Sequence, residues 1–478
     1  WTAERLTTRS QIVDYGIDPR NGEPLLCSLL GTVYRLRRSG TTGTAPPSLL
    51  SQTGAFTNMA SLTPSVGVKP YEPNVSFWSD RAIKSRWFAI ENTTDTATFS
   101  GAGNWTFPTG MVWMKHFDIE TTPGVPATRR KLETRFLVKT AGGVYGLSYK
   151  WRDDQSEADL IPEQGETSAI LNANPAQTWR FPSRGECLVC HTQTAGFALS
   201  FNTPQLNRTH TYDGDVQNQI LALSAAGYLS ASVTSVADYP AFAAASDASQ
   251  SLEWRVRSYL SVNCVQCHQP GGASQGAWDA RHTTRTDLAN LINGSLVTPV
   301  HADNRFVVPD RPDLSMLLKR QQGDGVGRMP PLATSVRDTA SEDLVIAWIN
   351  SLDSRQSLAE WQTVHFGSPG AANAAATFDA DGDGRTNYLE YLTGTHPNQP
   401  ASAWTYGQTA IVTGQVQIQF VQPANRAAIV EVSTDLATWQ PWNVSGNGPS
   451  FPAASTPRTI TAATAGAERF FRVRFMEP

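Results

Sequence analysis

The sequence predicts a multidomain protein of the α+β class, with a β-rich N-terminal half, an α-helical domain, an acidic loop and a C-terminal β-sandwich in chain order. Three patterns predict this fold class. Aromatic and β-branched runs between glycine and proline turns fill residues 105–151. Apolar residues recur at four-residue spacing, close to the period of a helix, over 341–352. Period-two alternation returns in short runs after residue 401.

Composition and hydropathy argue against two classes of partner. The 478 residues include 38 basic and 42 acidic side chains, for a formal net charge of −4. This near-neutral balance argues against a nucleic-acid partner or a polybasic membrane surface. The apolar runs are far shorter than the ~18 residues that a spanning helix requires, so no transmembrane segment is expected. Trp1 stands where an initiator methionine would, and we expect a processed chain.

Four of the five cysteines stand in two Cys-X-X-Cys-His motifs, at 187–191 and 264–268. This is the spacing of covalent haem c attachment, because two thiols three positions apart can each add to a haem vinyl group while the adjacent imidazole ligates the iron. Redox-active dithiols or half zinc sites are the alternative, but they leave unexplained why histidine follows both pairs. The motifs predict two covalently attached haem c groups, held by Cys187, Cys190 and His191 and by Cys264, Cys267 and His268.

The cysteine motifs also indicate in which cellular compartment the protein resides. Haem c is attached outside the bacterial cytoplasm, which predicts an exported protein of the periplasm or the cell exterior. With four cysteines assigned to haem, no structural disulfide is expected. The fifth, Cys27, stands in an apolar stretch and is expected to be a small buried hydrophobe rather than a reactive thiol.

The second motif stands between two helical runs. Residues 251–260 lead into Cys264, and the run at 341–352 closes the region with an apolar stripe typical of a helix that packs on a core. Two terminal helices that bracket a haem describe an α-helical class I cytochrome c domain, predicted here at 241–354.

A methionine is the expected sixth ligand of the second iron. Met329 stands on a loop stiffened by two prolines, whereas Met316 lies in a helical run and is expected to pack in a core. A histidine and methionine pair raises the reduction potential and closes the iron to small molecules, which favours electron transfer at this haem.

The first motif ends a strand-rich region predicted to form a β-rich haem domain at 49–240. No methionine occurs between His191 and Met316, so the sixth position is either filled from elsewhere or left open. The candidate ligands are Met111, Met114, Lys115 and His116 on one strand, and His210. Arg180 and Arg184 either neutralise the haem propionates, since a guanidinium suits a carboxylate, or are solvated loop arginines.

Several segments resemble a family of bacterial dihaem c-type cytochromes over roughly residues 50–353. They are residues 71–80, 107–117, 132–135, 149–151, 181–184, 205–207 and 328–331. In that family this unit often follows a β-propeller related to quinone-dependent glucose and sorbosone dehydrogenases, and residues 14–36 are similar to the last blade of such a propeller. The resemblance implies a dehydrogenase or a cytochrome as redox partner and a propeller-blade-like segment at 1–48. The first haem region is also similar to small β-sheet cytochromes in which a lysine can crosslink to the haem, a role that would fall to Lys115.

Residues 379–390 match the calcium-binding EF-hand loop at positions 1, 3, 5, 6, 9 and 12. Three aspartates and a glutamate supply the hard oxygen ligands that calcium prefers, and Gly384 permits the tight turn. An acidic solvated turn, the alternative, needs neither the glycine nor the glutamate in register. The expected ligands are Asp379, Asp381, Asp383, Arg385 through its backbone carbonyl, Asn387 and Glu390. We expect a structural ion in a helix–loop–helix linker at 355–400.

The last residues alternate with period two in three runs, at 416–421, 428–433 and 469–475. The alternation predicts a small antiparallel β-sandwich at 401–478. Stretches rich in serine, alanine and glycine are the expected linkers, at 38–47, 229–250 and 366–377.

The leading functional hypothesis is an exported dihaem cytochrome that relays electrons from a donor, such as a quinone-dependent dehydrogenase, to an acceptor cytochrome or surface. It assigns no catalytic residue. The alternative is a haem enzyme whose first iron is open and acts on nitric oxide, hydroxylamine or peroxide, and the ligand count of that iron distinguishes the two. A third hypothesis is a cytochrome subunit of an extracellular assembly or homo-oligomer, with the sandwich as an interaction surface.

Overall fold

A computed structural model describes residues 12–17, 24–29, 31–35, 45–92, 94–352, 355–412, 415–463 and 470–478. These residues form two compact units. Unit 1 is drawn from 1–70, 83–93 and 108–193, and unit 2 from 71–82, 94–107 and 194–478. The five-part domain organisation stays a prediction.

The described chain is rich in strands, which form seven small sheets. The elements of unit 1 are β1 (Ile12–Ile17), β2 (Pro24–Ser28), β3 (Val33–Arg35), β4 (Phe56–Asn58), β5 (Thr63–Pro64), β6 (Lys69–Pro70), β7 (Ile83–Ala89), β8 (Val112–Glu120), β9 (Arg129–Lys139), β10 (Val144–Trp151), β11 (Ala158–Leu160), β12 (Glu166–Ala169), β13 (Thr178–Phe181) and α1 (Arg184–Cys190). Those of unit 2 are α2 (Thr203–Leu206), β14 (Thr209–Tyr212), β15 (Asp215–Asn218), α3 (Gln219–Ala225), α4 (Leu252–Asn263), α5 (Met316–Gln322), α6 (Thr339–Ser351), α7 (Leu358–Phe366), α8 (Asn387–Thr393), β16 (Gln408–Val412), β17 (Gln415–Gln422), β18 (Ala427–Ser433), β19 (Gln440–Pro441), β20 (Thr456–Ala463) and β21 (Phe470–Met476).

Unit 1 is built on a six-stranded antiparallel sheet in the order β11-β10-β9-β8-β7-β6. Successive residues of a strand point to opposite faces of a sheet, so two adjacent cross-strand rows mark its two faces. The row Trp87, Met114, Phe136 and Leu147 belongs to a hydrophobic core, and we call this side the apolar face. The neighbouring row is Arg86, Lys115, Arg135 and Ser148, and we call its side the cationic face.

The predicted propeller blade at 1–48 lies partly outside the described residues, as does the predicted linker at 38–47. The described residues between 12 and 35 form the three-stranded antiparallel sheet β1-β2-β3. Tyr15 of β1 is 80% exposed, and Cys27 of β2 is half-buried. Whether this sheet belongs to a propeller stays a prediction.

The predicted α-helical class I cytochrome c domain at 241–354 is wrong. Three α-helices do form in its described residues, α4, α5 and α6, of 12, 7 and 13 residues. The long stretch between α4 and α5, however, consists mainly of turns, bends and isolated bridges. Glycine, proline, asparagine and serine punctuate that stretch, and these residues favour turns over helix. Helical periodicity predicted the terminal helices but carried no information about the chain between them.

The terminal helices nevertheless pack on each other. Val256 and Leu260 of α4 share a core with Val345, Trp348 and Ile349 of α6, all almost fully buried. The side chain of Ser251 accepts a hydrogen bond from Trp254 N at the start of α4, and that of Asp338 accepts one from Ser341 N at the start of α6. Burial of the apolar stripes therefore holds the two helices together.

The C-terminal strands form two three-stranded antiparallel sheets, β16-β17-β20 and β19-β18-β21. Ile418 and Ile460 of the first sheet share one core with Val430 and Phe475 of the second and with Trp361 of α7. Every residue of β18 is buried, so this strand lies at the centre of that core. Among the described residues, no helix has the length and apolarity that crossing a membrane requires.

Candidate cofactor and metal sites

The first Cys-X-X-Cys-His motif forms the short helix α1 and its end. Ser183 and Glu186 close a capping box at the first turn, which fixes where the helix begins. Cys187 and Cys190 lie three residues apart and so share one side of the helix. His191 follows as the C-cap, where its backbone N–H donates to Cys187 O at 3.0 Å. All five cysteines of the chain lie within the described residues.

Helix α1 lies against β10 on the cationic face. A Cβ atom at Gly146 would stand 2.5 Å from Cys187 Sγ, so this thiol fills the space that a side chain at 146 would occupy. Gly146 and Ser148 alternate along β10 with the core residue Leu147, which puts both on the cationic face. Burial raises the pKa of the Cys187 thiol, while the nearby Arg135 guanidinium acts in the opposite direction.

An aromatic ring and a buried carboxylate organise the side chains of the cationic face. Lys115 Nζ lies 5.1 Å and Arg135 Cζ 4.5 Å from the centroid of the Phe117 ring. Glu133, fully buried, accepts hydrogen bonds from Arg135 Nε at 2.8 Å and Nη2 at 2.7 Å. It also accepts one from Trp179 Nε1 at 2.8 Å. These contacts hold Arg135 in one orientation beside the motif.

The electrostatics of this face act on Lys115 and Arg135 in opposite ways. Burial lowers the pKa of Lys115 well below its usual value, and the positive charges of Arg86, Lys84 and Arg135 lower it further. Burial also disfavours charge on Arg135, but the Glu133 carboxylate more than offsets that effect and leaves its pKa raised. The face therefore brings several cationic groups close to the ion pair of Arg135 with the buried Glu133.

The five candidate sixth ligands of the first haem occupy different places. Met114 lies in the apolar core of unit 1, and His116 lies on the same apolar face. His116 Nδ1 is 2.8 Å from Thr134 Oγ1 and its Nε2 is 3.1 Å from Asp118 Oδ1, so both ring nitrogens are engaged. Lys115 lies on the cationic face with Cys187. Met111 is buried just before β8 begins, and His210 belongs to the β14–β15 hairpin of unit 2, with Nδ1 3.9 Å from Glu72 Oε2.

The arginines that flank the first motif form local ion pairs. Arg180 Nη2 donates to Glu186 Oε2 at 2.7 Å, and Arg184 Nη1 is 2.8 Å from Glu163 Oε1. Their role at a haem propionate stays a prediction, and the structure adds two further arginines, Arg86 and Arg135, on the face that Cys187 contacts. Strand alternation puts Lys115 and Phe117 on one face of β8, but the cross-strand register that adds Arg135 and Arg86 leaves no mark in the sequence.

The second motif begins at the end of α4. Cys264 is the C-cap, and its carbonyl accepts hydrogen bonds from Cys267 N at 3.1 Å and His268 N at 2.9 Å. Gly272 lets the chain turn back after the motif, because a Cβ there would stand 2.1 Å from Cys267 O. Burial, followed by the neighbouring Cys267 thiol, raises the pKa of Cys264 to about 12.

His268 is held by stacking. Its ring centroid lies 4.6 Å from that of Trp278 at an interplanar angle of 27°, and its backbone carbonyl accepts a hydrogen bond from Ala280 N. Burial lowers the pKa of His268 to about 4, which keeps the imidazole neutral. Its Nδ1 is buried and has no hydrogen-bond partner within the described residues. A neutral imidazole beside two thiols is the donor set that haem c requires, so the motif fits this group.

Met329, the expected ligand of the second iron, and Met316, expected to pack in a core, differ in exposure. Met329 is 40% exposed, and its backbone N–H donates to Arg320 O at 2.8 Å. Met316 is buried at the start of α5. Met329 stays the predicted sixth ligand.

The predicted calcium loop gathers its carboxylates. Ligand atoms of Asp379, Asp381 and Asp383 lie within 4.8 Å of one another. Each of these aspartates accepts at least one hydrogen bond from a backbone N–H group of the loop. Gly382 N and Gly384 N, for example, donate to the two oxygens of Asp379. Gly384 has a φ of +86°, a backbone conformation that favours glycine.

Several oxygens of this loop are buried without a hydrogen-bond partner among the described residues. They are Asp381 Oδ2, Asp383 Oδ2, Asn387 Oδ1 and both carboxylate oxygens of Glu390. Burial, together with the charges of Asp381, Asp383 and Asp379, raises the pKa of Glu390 to about 7. Buried, mutually repelling oxygens of this kind are stabilised by a hard cation, so the residues fit calcium. Arg385 donates its backbone N–H to Asp383 Oδ1 at 2.6 Å.

Comparison with known proteins gives no family for this chain. No protein-family model, no curated protein and no solved structure matches it. The resemblance to dihaem c-type cytochromes therefore stays a prediction, which rests on the residues of this sequence alone.

Proposed function

We propose that the chain is an exported dihaem c-type cytochrome that carries electrons between a donor, such as a quinone-dependent dehydrogenase, and an acceptor cytochrome or surface. One observation carries the proposal: four of five cysteines stand in two Cys-X-X-Cys-His motifs. The geometry of both motifs supports it, since each pairs two thiols with an adjacent histidine at a helix end.

The residues of the chain have separate tasks in this proposal. Cys187 and Cys190 would hold one haem and Cys264 and Cys267 the other, with His191 and His268 as axial ligands. When bound, haem c supplies one-electron exchange between ferric and ferrous iron. Stacking on Trp278 orients the His268 imidazole, and its low pKa keeps the ring nitrogen free of a competing proton.

Calcium has a structural task in the same proposal. The last four residues of the loop at 379–390 are the first residues of α8. Tyr391 and Leu392 of that helix belong to the C-terminal core. An ion that neutralises the crowded carboxylates would stabilise the start of α8 and, through it, this core.

A haem oxidoreductase is the second candidate, because Met114 and His116 lie on the sheet face opposite to Cys187. An iron that lacks a sixth protein ligand binds small molecules such as nitric oxide, hydroxylamine or peroxide. Lys115 lies on the same sheet face as Cys187, so it stays a candidate sixth ligand together with Met111 and His210. The first site is open only if none of these three side chains binds the iron.

Covalent attachment tests the proposal. We expect the intact mass of the purified protein to exceed that of the polypeptide by two haem groups. A Cys187→Ser/Cys190→Ser variant and a Cys264→Ser/Cys267→Ser variant should each lose one group, while Cys27→Ser should keep both. A protein that carries no covalent haem after expression with a haem c maturation system would contradict the proposal.

Carbon monoxide separates the two candidate functions. An electron carrier with two closed irons gives a dithionite-reduced spectrum that carbon monoxide leaves unchanged. An open first site gives a shift in about half of the haem absorbance, because one of two equivalent chromophores responds. In the open case Cys187→Ser/Cys190→Ser should abolish the response.

A further inference from the structure

The cationic face carries one cross-strand row with a distinct composition. Arg86 of β7, Lys115 of β8 and Arg135 of β9 lie opposite one another, and Ser148 of β10 continues the row. Side chains directly opposite on neighbouring strands have Cβ atoms about 4.5–5.5 Å apart. Three cationic side chains therefore leave the sheet side by side, on rigid strands rather than on a loop.

Burial makes this arrangement costly. Arg86 is 6% exposed and Ser148 is 4% exposed, while Lys115 and Arg135 are partly buried. Like charges placed opposite each other destabilise a sheet, and removal from water adds a desolvation cost. Glu133 lies two residues before Arg135 in β9, opposite Phe117 of β8 and Lys150 of β10. Its carboxylate accepts hydrogen bonds from Arg135 and Trp179.

An independent observation marks the end of the row. Ser148 Oγ is buried and has no hydrogen-bond partner within the described part of the chain. A buried hydroxyl that lacks a partner costs roughly 1–3 kcal/mol, so native structures seldom keep one without a ligand or a water. Its position in register with Arg135 places it beside the cationic side chains.

We propose that Arg86, Lys115, Arg135 and Ser148 form an anion-binding site that takes a carboxylate or a small oxyanion. Guanidinium, ammonium and hydroxyl groups on one face supply charge-assisted hydrogen bonds to two or three oxygens of such a group. The anion has two sources with the same chemistry. It is either a propionate of a haem held by Cys187 and Cys190, which rests on the proposed function, or a free oxyanion that reaches the site from solution.

The test uses the full chain as purified and two probes, nitrite and inorganic phosphate, titrated by calorimetry at low ionic strength. Lys115→Met and Ser148→Ala change the site, and Lys139→Met is the matched control, because it removes a lysine of the same sheet four residues from Arg135. A free-anion site binds a probe in the wild-type protein. Lys115→Met should then weaken that binding roughly tenfold to hundredfold and Ser148→Ala roughly twofold to tenfold, while Lys139→Met leaves it unchanged.

A site filled by a propionate gives a different result in the same proteins. Neither probe binds, and Lys115→Met lowers the midpoint potential of one of the two haems, because loss of a nearby positive charge disfavours the reduced state. Lys139→Met leaves both potentials unchanged. Thermal unfolding of each variant shows that it folds, and Ser148→Ala provides a second readout should Lys115→Met fail to do so.

The proposal is overturned if no probe binds the wild-type protein and the potentials of Lys115→Met and Ser148→Ala equal those of Lys139→Met. Absence of covalent haem would defeat the proposed function and the propionate source together. The probe titrations would still decide the anion site in that case, so the two failures are distinguishable.

Discussion

Gly146 of β10 and Cys187 of α1 are in contact in a way that leaves no room for a side chain at position 146. A Cβ atom there would lie 2.5 Å from Cys187 Sγ and 3.0 Å from Cys187 Cβ. Real Cβ atoms do not approach a sulfur so closely, so α1 would have to move away from the sheet. The position of the first motif therefore depends on a glycine in the strand below it.

Gly146→Ala should lower covalent haem occupancy at the first motif while leaving the second motif unaffected. The methyl group displaces Cys187 from the sheet, and overpacking of this kind costs about 1–3 kcal/mol. Mass spectrometry of haem-bearing peptides measures occupancy of each motif. Gly142→Ala is the control, because a Cβ at 142 meets no atom within 4 Å. Equal occupancy in the two variants would contradict the packing argument.

Glu133→Gln should strongly destabilise unit 1. The substitution removes the fully buried carboxylate and leaves the partly buried guanidinium of Arg135 without its ion pair, which costs about 3–5 kcal/mol. Urea denaturation followed by tryptophan fluorescence measures the loss. Glu166→Gln is the matched control: its ion pair with Lys150 has both side chains more than 30% exposed, so the expected loss is below about 1 kcal/mol. Similar losses in both variants would refute the role of burial.

Glu390→Gln should have opposite effects with and without calcium. In a chelator, loss of one charge relieves repulsion by Asp381, Asp383 and Asp379, so the thermal unfolding midpoint should rise above that of the wild type. In the presence of calcium the variant lacks a bidentate ligand, so its thermal unfolding midpoint should lie below that of the wild type. The ion contributes about 2.7 kcal/mol when present at a hundredfold excess over its Kd.

Differential scanning calorimetry in calcium and in chelator measures the two midpoints of the variant and of the wild type. The exposed Asp343 of α6 supplies the control, and Asp343→Asn should change neither midpoint. A wild-type midpoint that does not respond to calcium would count against a bound ion at 379–390.

Acid should weaken unit 2 through His282. Burial, followed by the positive charge of Arg257, lowers the pKa of His282 to about 4, while an unfolded histidine has a pKa of about 6.5. The unfolded chain therefore binds the proton first, so stability is complete above about pH 6.5 and falls as the pH drops toward 4. The loss through this one group is about 1–3 kcal/mol.

His282→Gln should remove that part of the acid sensitivity, because glutamine does not titrate. Urea midpoints measured at intervals from pH 7.5 to pH 4.5 give the slope for each protein. His301, an exposed histidine in the same unit, serves as control, and His301→Gln should keep the wild-type slope. If the urea midpoints of all three proteins fall equally with pH, His282 is not the group that causes the acid sensitivity.

Local periodicity predicted those elements whose side chains repeat in register with a helix or a strand. The stripe Leu344, Trp348 and Leu352 indeed belongs to the core that α6 buries, and β18 and β21 form where alternation indicated. The class I domain was not predictable from such signals, because the stretch from Cys264 to Ser315 contains turns whose arrangement depends on long-range contacts.

The candidate sites show the same division between local and long-range information. Candidate residues that are close in sequence could be proposed together, as in the predicted calcium loop and in the two Cys-X-X-Cys-His motifs, and their binding of calcium and haem stays a prediction. Residues far apart in sequence meet in two other ways. Gly146 approaches Cys187 because α1 packs on β10, and strand register aligns the row from Arg86 to Ser148. Arg180 and Arg184, which lie next to the motif in sequence, each form an ion pair with a glutamate, and their role at a haem propionate stays a prediction.

Asn387 of the predicted calcium loop faces two parts of the chain at once. Its Nδ2 donates hydrogen bonds to Asn373 O at 2.8 Å and to Ala375 O at 2.9 Å. Its Oδ1 is buried and has no hydrogen-bond partner among the described residues. Aspartate at this position would add a negative charge for an ion but would leave two backbone carbonyls without donors. The segment before the loop therefore constrains the identity of residue 387 as much as the predicted ion does, and asparagine is the shortest side chain that satisfies both demands.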